Sequence, residues 1–225
     1  MKSKNHEHSL RCLCSKKRHT LKQIVLTGGP GAGKTAILEM VRQSLCHHVA
    51  ILPESASIIF KGGFWRKTST PARQAAQRAI FHVQRELEQL VCEEREAAIA
   101  LCDRGSLDSL AYWPTSRASY FKQLNTTLDD ELNRYYAVIH LRVPAQFSGY
   151  DHSNPMRIES AKEAQRIDAK IEDVWRKHPR RFVVESTADF MTKARTTIAL
   201  IEQELAACCK GKVHHTKNNH HLSHE

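Results

Sequence analysis

Residues Gly28 to Thr35 read GGPGAGKT and carry the densest chemistry of the chain. They satisfy the spacing G-x-x-x-x-G-K-[ST] at Gly28, Gly33, Lys34 and Thr35. Small residues at Gly28, Gly29, Pro30, Gly31, Ala32 and Gly33 let backbone N–H groups turn toward a polyphosphate with no bulk in the way. A helix starting near Gly33 would add free N–H groups and the positive end of its dipole. Lys34 would pair with the β- and γ-phosphates, and Thr35 would offer a hydroxyl to Mg²⁺.

Two carboxylates and an arginine stand where a reaction at that phosphate would need them. Asp103 closes the apolar run AAIALC (Ala97 to Cys102), a Walker B pattern in which the carboxylate holds Mg²⁺ directly or through water. A turn or helix N-cap is its structural alternative. Arg104 follows, placed to contact phosphate or to brace Asp103. Glu54 ends HHVAILPE and reads as a general base for an acceptor hydroxyl, as a ligand of the metal's water shell, or as a favourable first-turn carboxylate. Phe64 and Trp65 follow Gly62-Gly63, and would stack on a substrate or dock their own loop. Arg157 and Arg166, near the start of a later helix, are candidate phosphate clamps on a lid.

These residues need a scaffold of alternating elements. The β-branched stretch Lys22 to Thr27 predicts a buried strand ahead of the glycine loop, and Ile37, Leu38, Val41 and Leu45 predict an amphipathic helix after it. Further strands are expected over His47–Ala56, in AAIALC, over Tyr135–Pro144 and over Arg180–Ser186. Ser57 to Pro71 reads as a loop. A long helix is expected from Pro71 to about Arg95, with Ala75, Ala76, Ala79, Ile80, Val83, Leu87, Leu90 and Val91 as its apolar stripe. A lid is expected at about 145–178, including a helix over Ile158–His178, and a last helix over Ala188–Ala206. Five strands alternating with helices predict an α/β fold, a three-layer α/β/α P-loop NTPase with a five-stranded parallel sheet.

The chain has 225 residues and a formal net charge of +10. Most of that charge is terminal: residues 1–22 hold seven Lys/Arg against one Glu, and residues 208–225 hold three Lys against one Glu. This argues against a basic groove in the folded domain and so against specific nucleic-acid binding. The expected layout is a disordered basic tail over 1–20, one domain over 21–207, and a disordered His-rich tail over 208–225. Cys12 and Cys14, with His6, His8 and His19, lack the C-x₂₋₄-C spacing of a zinc knuckle. Seven scattered cysteines, no apolar run long enough to span a membrane and no signal core point to a cytoplasmic protein.

Four motifs, TGGPGAGKT, LPESA, CDRGSLDSLAYW and GYDHSNPMRIESAKEA, appear in that order. Residues of about 22–206 thereby resemble the small P-loop proteins grouped as an AAA-type ATP-binding domain, related to nicotinamide-riboside-kinase-like and TRPL-translocation-defect-type domains. The resemblance implies a nucleoside/nucleotide-kinase-like fold, phosphate binding at Gly28 to Thr35, metal or catalytic duty at Asp103 and Arg104, and a functional carboxylate at Glu54. The expected cofactors are ATP, with GTP left open, and Mg²⁺. The expected activity is γ-phosphoryl transfer to a small nucleoside-like acceptor. The alternative is a nucleotide-dependent switch or slow hydrolase that acts on a protein or membrane partner. No N-K-x-D guanine motif is present, and the oligomeric state is left open.

Overall fold

The computed structural model describes residues 19–144, 161–186 and 189–209. Residues 1–18 and 210–225 of the expected tails over 1–20 and 208–225, the segment 145–160 and with it Arg157 lie outside the described residues. Cys209, expected in the second tail, is buried in the short turn Ala207–Cys209.

Five strands form one parallel sheet: β1 (Lys22–Thr27), β2 (Val49–Leu52), β3 (Ile99–Asp103), β4 (Ala137–Leu141) and β5 (Arg181–Val184). Their order across the sheet is β2-β3-β1-β4-β5. Leu26 lies beside Asp103 on one side and Ile139 on the other. β1 is thus central, with the chain leaving it first toward one edge and later toward the other. That reversal opens a crevice at the carboxyl end of β1, where ligands of open α/β sheets bind.

Alternate strand residues point to opposite faces, and each face has its own core. Ile24, Leu26, Leu101, Ile139 and Leu141 pack with α1 (Lys34–Ser44) and the last long helix, α8 (Phe190–Glu204). Val25, Ala100, Cys102 and Val138 pack on the other face. There they meet α3 (Thr70–Glu94), α4 (Asp108–Ala111), α5 (Arg117–Leu124), α6 (Leu128–Asn133) and α7 (Ala161–Trp175). Strands buried on both sides explain why their sequences are continuously apolar rather than alternating. The three-layer arrangement is the one expected.

The structure departs from the sequence expectation in two places. Ser57 to Pro71 is not all loop, because α2 occupies Ser55–Lys61 and shortens β2 to Val49–Leu52. The buried stripe of α3 is also rotated from the expected one. Leu90 is exposed, and Ala76, Phe81, Gln84 and Glu88 face inward. The helical part of the expected lid is α7, and its apolar face packs inward. Ile167, Ile171, Val174 and Trp175 are all buried in the core. Among the described residues, no helix is long and apolar enough to cross a membrane.

Candidate active site

The glycine loop turns from β1 into α1 at the crevice. Gly33 takes φ 92° as the N-cap of α1, a left-handed conformation that favours glycine. Gly29 is tight for a different reason: a Cβ there would come within 2.7 Å of Val143 Cγ2 and 2.8 Å of Asp168 Cβ. Lys34 is buried and folds back over the loop, its Nζ donating to the carbonyls of Gly28 (2.8 Å) and Gly29 (3.1 Å). Burial, then the nearby Arg104 cation, lowers its pKa to about 8, with Asp103 and Glu54 opposing. Thr35 is exposed in the first turn of α1.

Arg104 ties the site together. It takes φ 73°, a left-handed backbone that is uncommon outside glycine and that re-aims the chain just after β3. Its Nε donates to Glu54 Oε1 at 2.8 Å, and its Nη1 donates to the Gly28 carbonyl at 3.3 Å. Arg104 therefore bridges the β2 carboxylate and the glycine loop; of the two sequence roles, the structure gives a brace, and the group braced is Glu54. Glu54 Oε2 also accepts from Ser57 Oγ at 2.5 Å. Burial would raise the pKa of Glu54, but Arg104 and Ser57 outweigh it and hold the carboxylate down at about 2. Asp103 has the opposite balance. Burial dominates, Glu54 adds repulsion, and its pKa rises to about 6 despite Lys34. Its Oδ1 is buried and has no hydrogen-bond partner among the described residues.

Pro30, Gly31, Lys34, Thr35, Glu54, Asp103 and Arg104 border one cleft of about 440 Å³, a size suited to a small ligand. Beyond Glu54 the cleft continues between α2 and α3. There Phe60, Ile80, Phe81 and Tyr112 supply apolar wall, and Gln77 and Gln84 supply amides. Gln84 is locked in a buried chain in which it accepts from Ser55 Oγ (2.8 Å) and donates to Glu88 Oε1 (2.9 Å). Glu88 is held in turn by Tyr135 and Arg134, both at 2.6 Å. Trp65 stands 73% exposed at the mouth. Phe64 instead packs edge-on against Phe60, with centroids 6.5 Å apart, so the loop-docking reading fits Phe64 and the cleft-facing one fits Trp65. Arg166 does not line the cleft; it is exposed and paired with Glu163 at 2.9 Å.

Several residues that sequence reasoning passed over prove central. Asp108 is buried and accepts from Thr27 Oγ1, Gly105 N–H (2.8 Å) and Trp175 Nε1 (3.3 Å). It joins β1, the turn after β3 and α7. Asp168 Oδ1 accepts from Gly29 N–H (2.7 Å) and His140 Nε2 (3.0 Å), and its Oδ2 accepts from Val143 N–H (3.3 Å). Lys193 donates to the Ala32 carbonyl at 2.9 Å and to the Arg142 carbonyl. Asp108 had a signal in CDRGSLDSL; Asp168 and Lys193 lie on amphipathic helices and carried none.

The fold is shared with a known enzyme. Deoxyadenosine kinase from M. mycoides, solved with dATP bound, superposes with a TM-score of 0.58 at 16% identity over 80% of this chain and 98% of the kinase. Thymidylate kinase from Ehrlichia chaffeensis gives a TM-score of 0.49, also at 16% identity over 80% of this chain and 98% of that one. No curated protein matches the sequence. The family model described as an AAA domain matches residues 23–193, nearly the whole of the folded region, with the glycine loop, Glu54, Asp103, Arg104, Asp108 and Asp168 all inside it. The chain therefore belongs to the AAA domain family.

Proposed function

We propose that the protein transfers the γ-phosphoryl group of ATP, or of GTP, to a hydroxyl of a small nucleoside-like acceptor. The observation that carries this reading is the continuity of the cleft. It runs from the glycine loop, past Glu54, into a half-apolar pocket between α2 and α3. A hydrolase or switch needs only water at Glu54, and such a pocket would serve no purpose in it. The aromatic side chains of Phe60, Phe81 and Tyr112 and the amide of Gln77 suit a planar heterocycle.

In this reading Gly28 to Thr35 hold the triphosphate, and Lys34 exchanges its loop carbonyls for phosphate oxygens. The acceptor oxygen bonds to the γ-phosphorus, the bond from that phosphorus to the β-bridging oxygen breaks, and the nucleoside diphosphate leaves. Glu54 accepts the acceptor's proton. Its low pKa makes it a weak base but keeps it ionised throughout the working range. In the loose transition state of phosphoryl transfer, orienting the hydroxyl matters more than early deprotonation. Arg104 keeps Glu54 aimed. The residues present fit Mg²⁺: the unpartnered Oδ1 of Asp103 and the exposed hydroxyl of Thr35 are hard oxygen donors on the same cleft. When bound, the ion would neutralise charge between the β- and γ-phosphates.

The test is Mg-ATP and Mg-GTP consumption by the purified protein with nucleosides, nicotinamide riboside and nucleoside monophosphates as acceptors. The expected result is one acceptor class that raises diphosphate release above background and yields a phosphorylated product. Glu54→Gln should spare nucleotide binding and lower that transfer by about 10²-fold or more. Turnover that stays slow with every acceptor would overturn the kinase reading in favour of the switch.

A further inference from the structure

A second group of reactive side chains lies at the other end of the sheet. His19 stands just before β1, His48 just before β2 and Cys46 in the turn after α1, whereas the glycine loop leaves the carboxyl end of β1. Cys209 ends the short 3₁₀ turn Ala207–Cys209 that follows α8. Ligand atoms of His19, His48 and Cys209 all lie within 4.8 Å of one another. His48 and Cys209 are buried and His19 is half-buried. Cys209 Sγ is 3.4 Å from His48 Nδ1, and Cys46 Sγ is 3.9 Å from that same nitrogen. The His48 carbonyl accepts from Ala98 N–H (2.8 Å) and Ile99 N–H (3.1 Å), which fixes this residue at the sheet edge.

One thiol and two imidazoles thus converge on a small, largely buried volume. With Zn–S about 2.3 Å and Zn–N about 2.0–2.1 Å, neighbouring ligands of a tetrahedral zinc stand about 3.5 Å apart. The 3.4 Å between Cys209 Sγ and His48 Nδ1 matches that value, and Cys46 Sγ stands further out. The donors are too soft for Mg²⁺ or Ca²⁺, and thiolate with imidazole favours zinc.

We propose that His19, His48 and Cys209 bind one Zn²⁺ in a structural site. The ion would act by clamping the start of β1, the α1–β2 turn and the end of α8 together. The site is independent of the proposed reaction.

The experiment is a Co²⁺ titration of the full chain, stripped with chelator and kept reduced, read by thiolate-to-cobalt charge-transfer absorption and tetrahedral ligand-field bands. One Co²⁺ per chain, displaced by Zn²⁺, is expected. Cys209→Ser and His48→Gln should each weaken binding by more than the 10–100-fold typical of an outer-shell partner, about two orders of magnitude or beyond. Zn²⁺ should raise the unfolding temperature of the parent chain and not of Cys209→Ser. A control chain must keep the bands with Cys12, Cys14 and Cys208 changed to Ser and His214, His215, His220, His221 and His224 changed to Gln. Bands lost in that control, bands retained in both ligand variants, or no tetrahedral cobalt in the parent chain would each overturn the site. Circular dichroism of the two ligand variants distinguishes a lost ligand from a lost fold.

Discussion

Asp103 and Glu54 are neighbouring carboxylates with opposite electrostatic fates. Arg104 sits on Glu54 and not on Asp103, so Glu54 is stabilised as an anion, while Asp103 is left buried, unpartnered at Oδ1 and pushed up to about 6. The native state therefore binds a proton at Asp103 more tightly than the unfolded chain does, whose reference pKa is 3.8. Stability attributable to this group falls as pH rises from about 4 to 6, and the full penalty is present above 6. Asp103→Asn removes the charge at constant size. It should stabilise the nucleotide-free protein at pH 7.5 by on the order of 1–3 kcal/mol, an increase of a few degrees in unfolding temperature. The gain should vanish near pH 4, and the same variant should lose Mg²⁺-dependent turnover. Thermal unfolding at the two pH values tests it; a destabilised variant at pH 7.5 would mean that Asp103 is already paired. A residue that costs stability and stays charged is what a ligand site selects for.

At the scale of elements, segments distant in sequence hold the glycine loop. Arg104 after β3 reaches Gly28, Asp168 on α7 reaches Gly29, and Lys193 on α8 reaches Ala32. This explains what was legible in the sequence. The loop, its strand and its helix are contiguous, so local spacing announced them. Asp168 and Lys193 were invisible because their partners lie 139 and 161 positions away. Helix α2 was missed because SASIIFK is too short to display a period, and because Gly62-Gly63 beyond it reads as loop. The rotation of α3 was missed because its inward face carries Gln84 and Glu88, which satisfy each other and so escape the rule that polar residues face water. The brace makes a prediction. Asp168→Asn keeps the shape but presents an amide N–H₂ where Val143 N–H or Gly29 N–H needs an acceptor. It should cost about 1–3 kcal/mol in stability and weaken nucleotide binding severalfold, although its side chain does not line the cleft. Unfolding curves with and without nucleotide would show both effects, and unchanged nucleotide affinity would reduce Asp168 to a core residue.

Across the whole molecule, the cleft separates a well-packed half from an exposed one. On one side stands the five-stranded sheet with its buried braces; on the other stand α2 and the α2–α3 connection, where Ile58, Phe64 and Trp65 are all exposed. Trp65 is held there by cation contact, with Lys67 Nζ 4.4 Å from its ring centroid, rather than by burial. The other two tryptophans, Trp113 and Trp175, are buried in the core. A large aromatic exposed at the mouth of a cleft gains apolar contact when a planar ligand enters, so an acceptor of the proposed class should draw Trp65 inward. The expected signal is a blue shift and intensity change in tryptophan emission on adding the acceptor, absent in Trp65→Leu. Because Trp65 makes little packing contact, Trp65→Leu should unfold within about 0.5 kcal/mol of the parent chain, as surface substitutions do. Its loss should appear as a raised KM for acceptor, with KM for the nucleotide unchanged. A Trp65→Leu chain with unaltered acceptor KM would place the acceptor deeper, against Phe81 and Tyr112 alone, and would leave the α2–α3 connection as a surface loop with no part in binding.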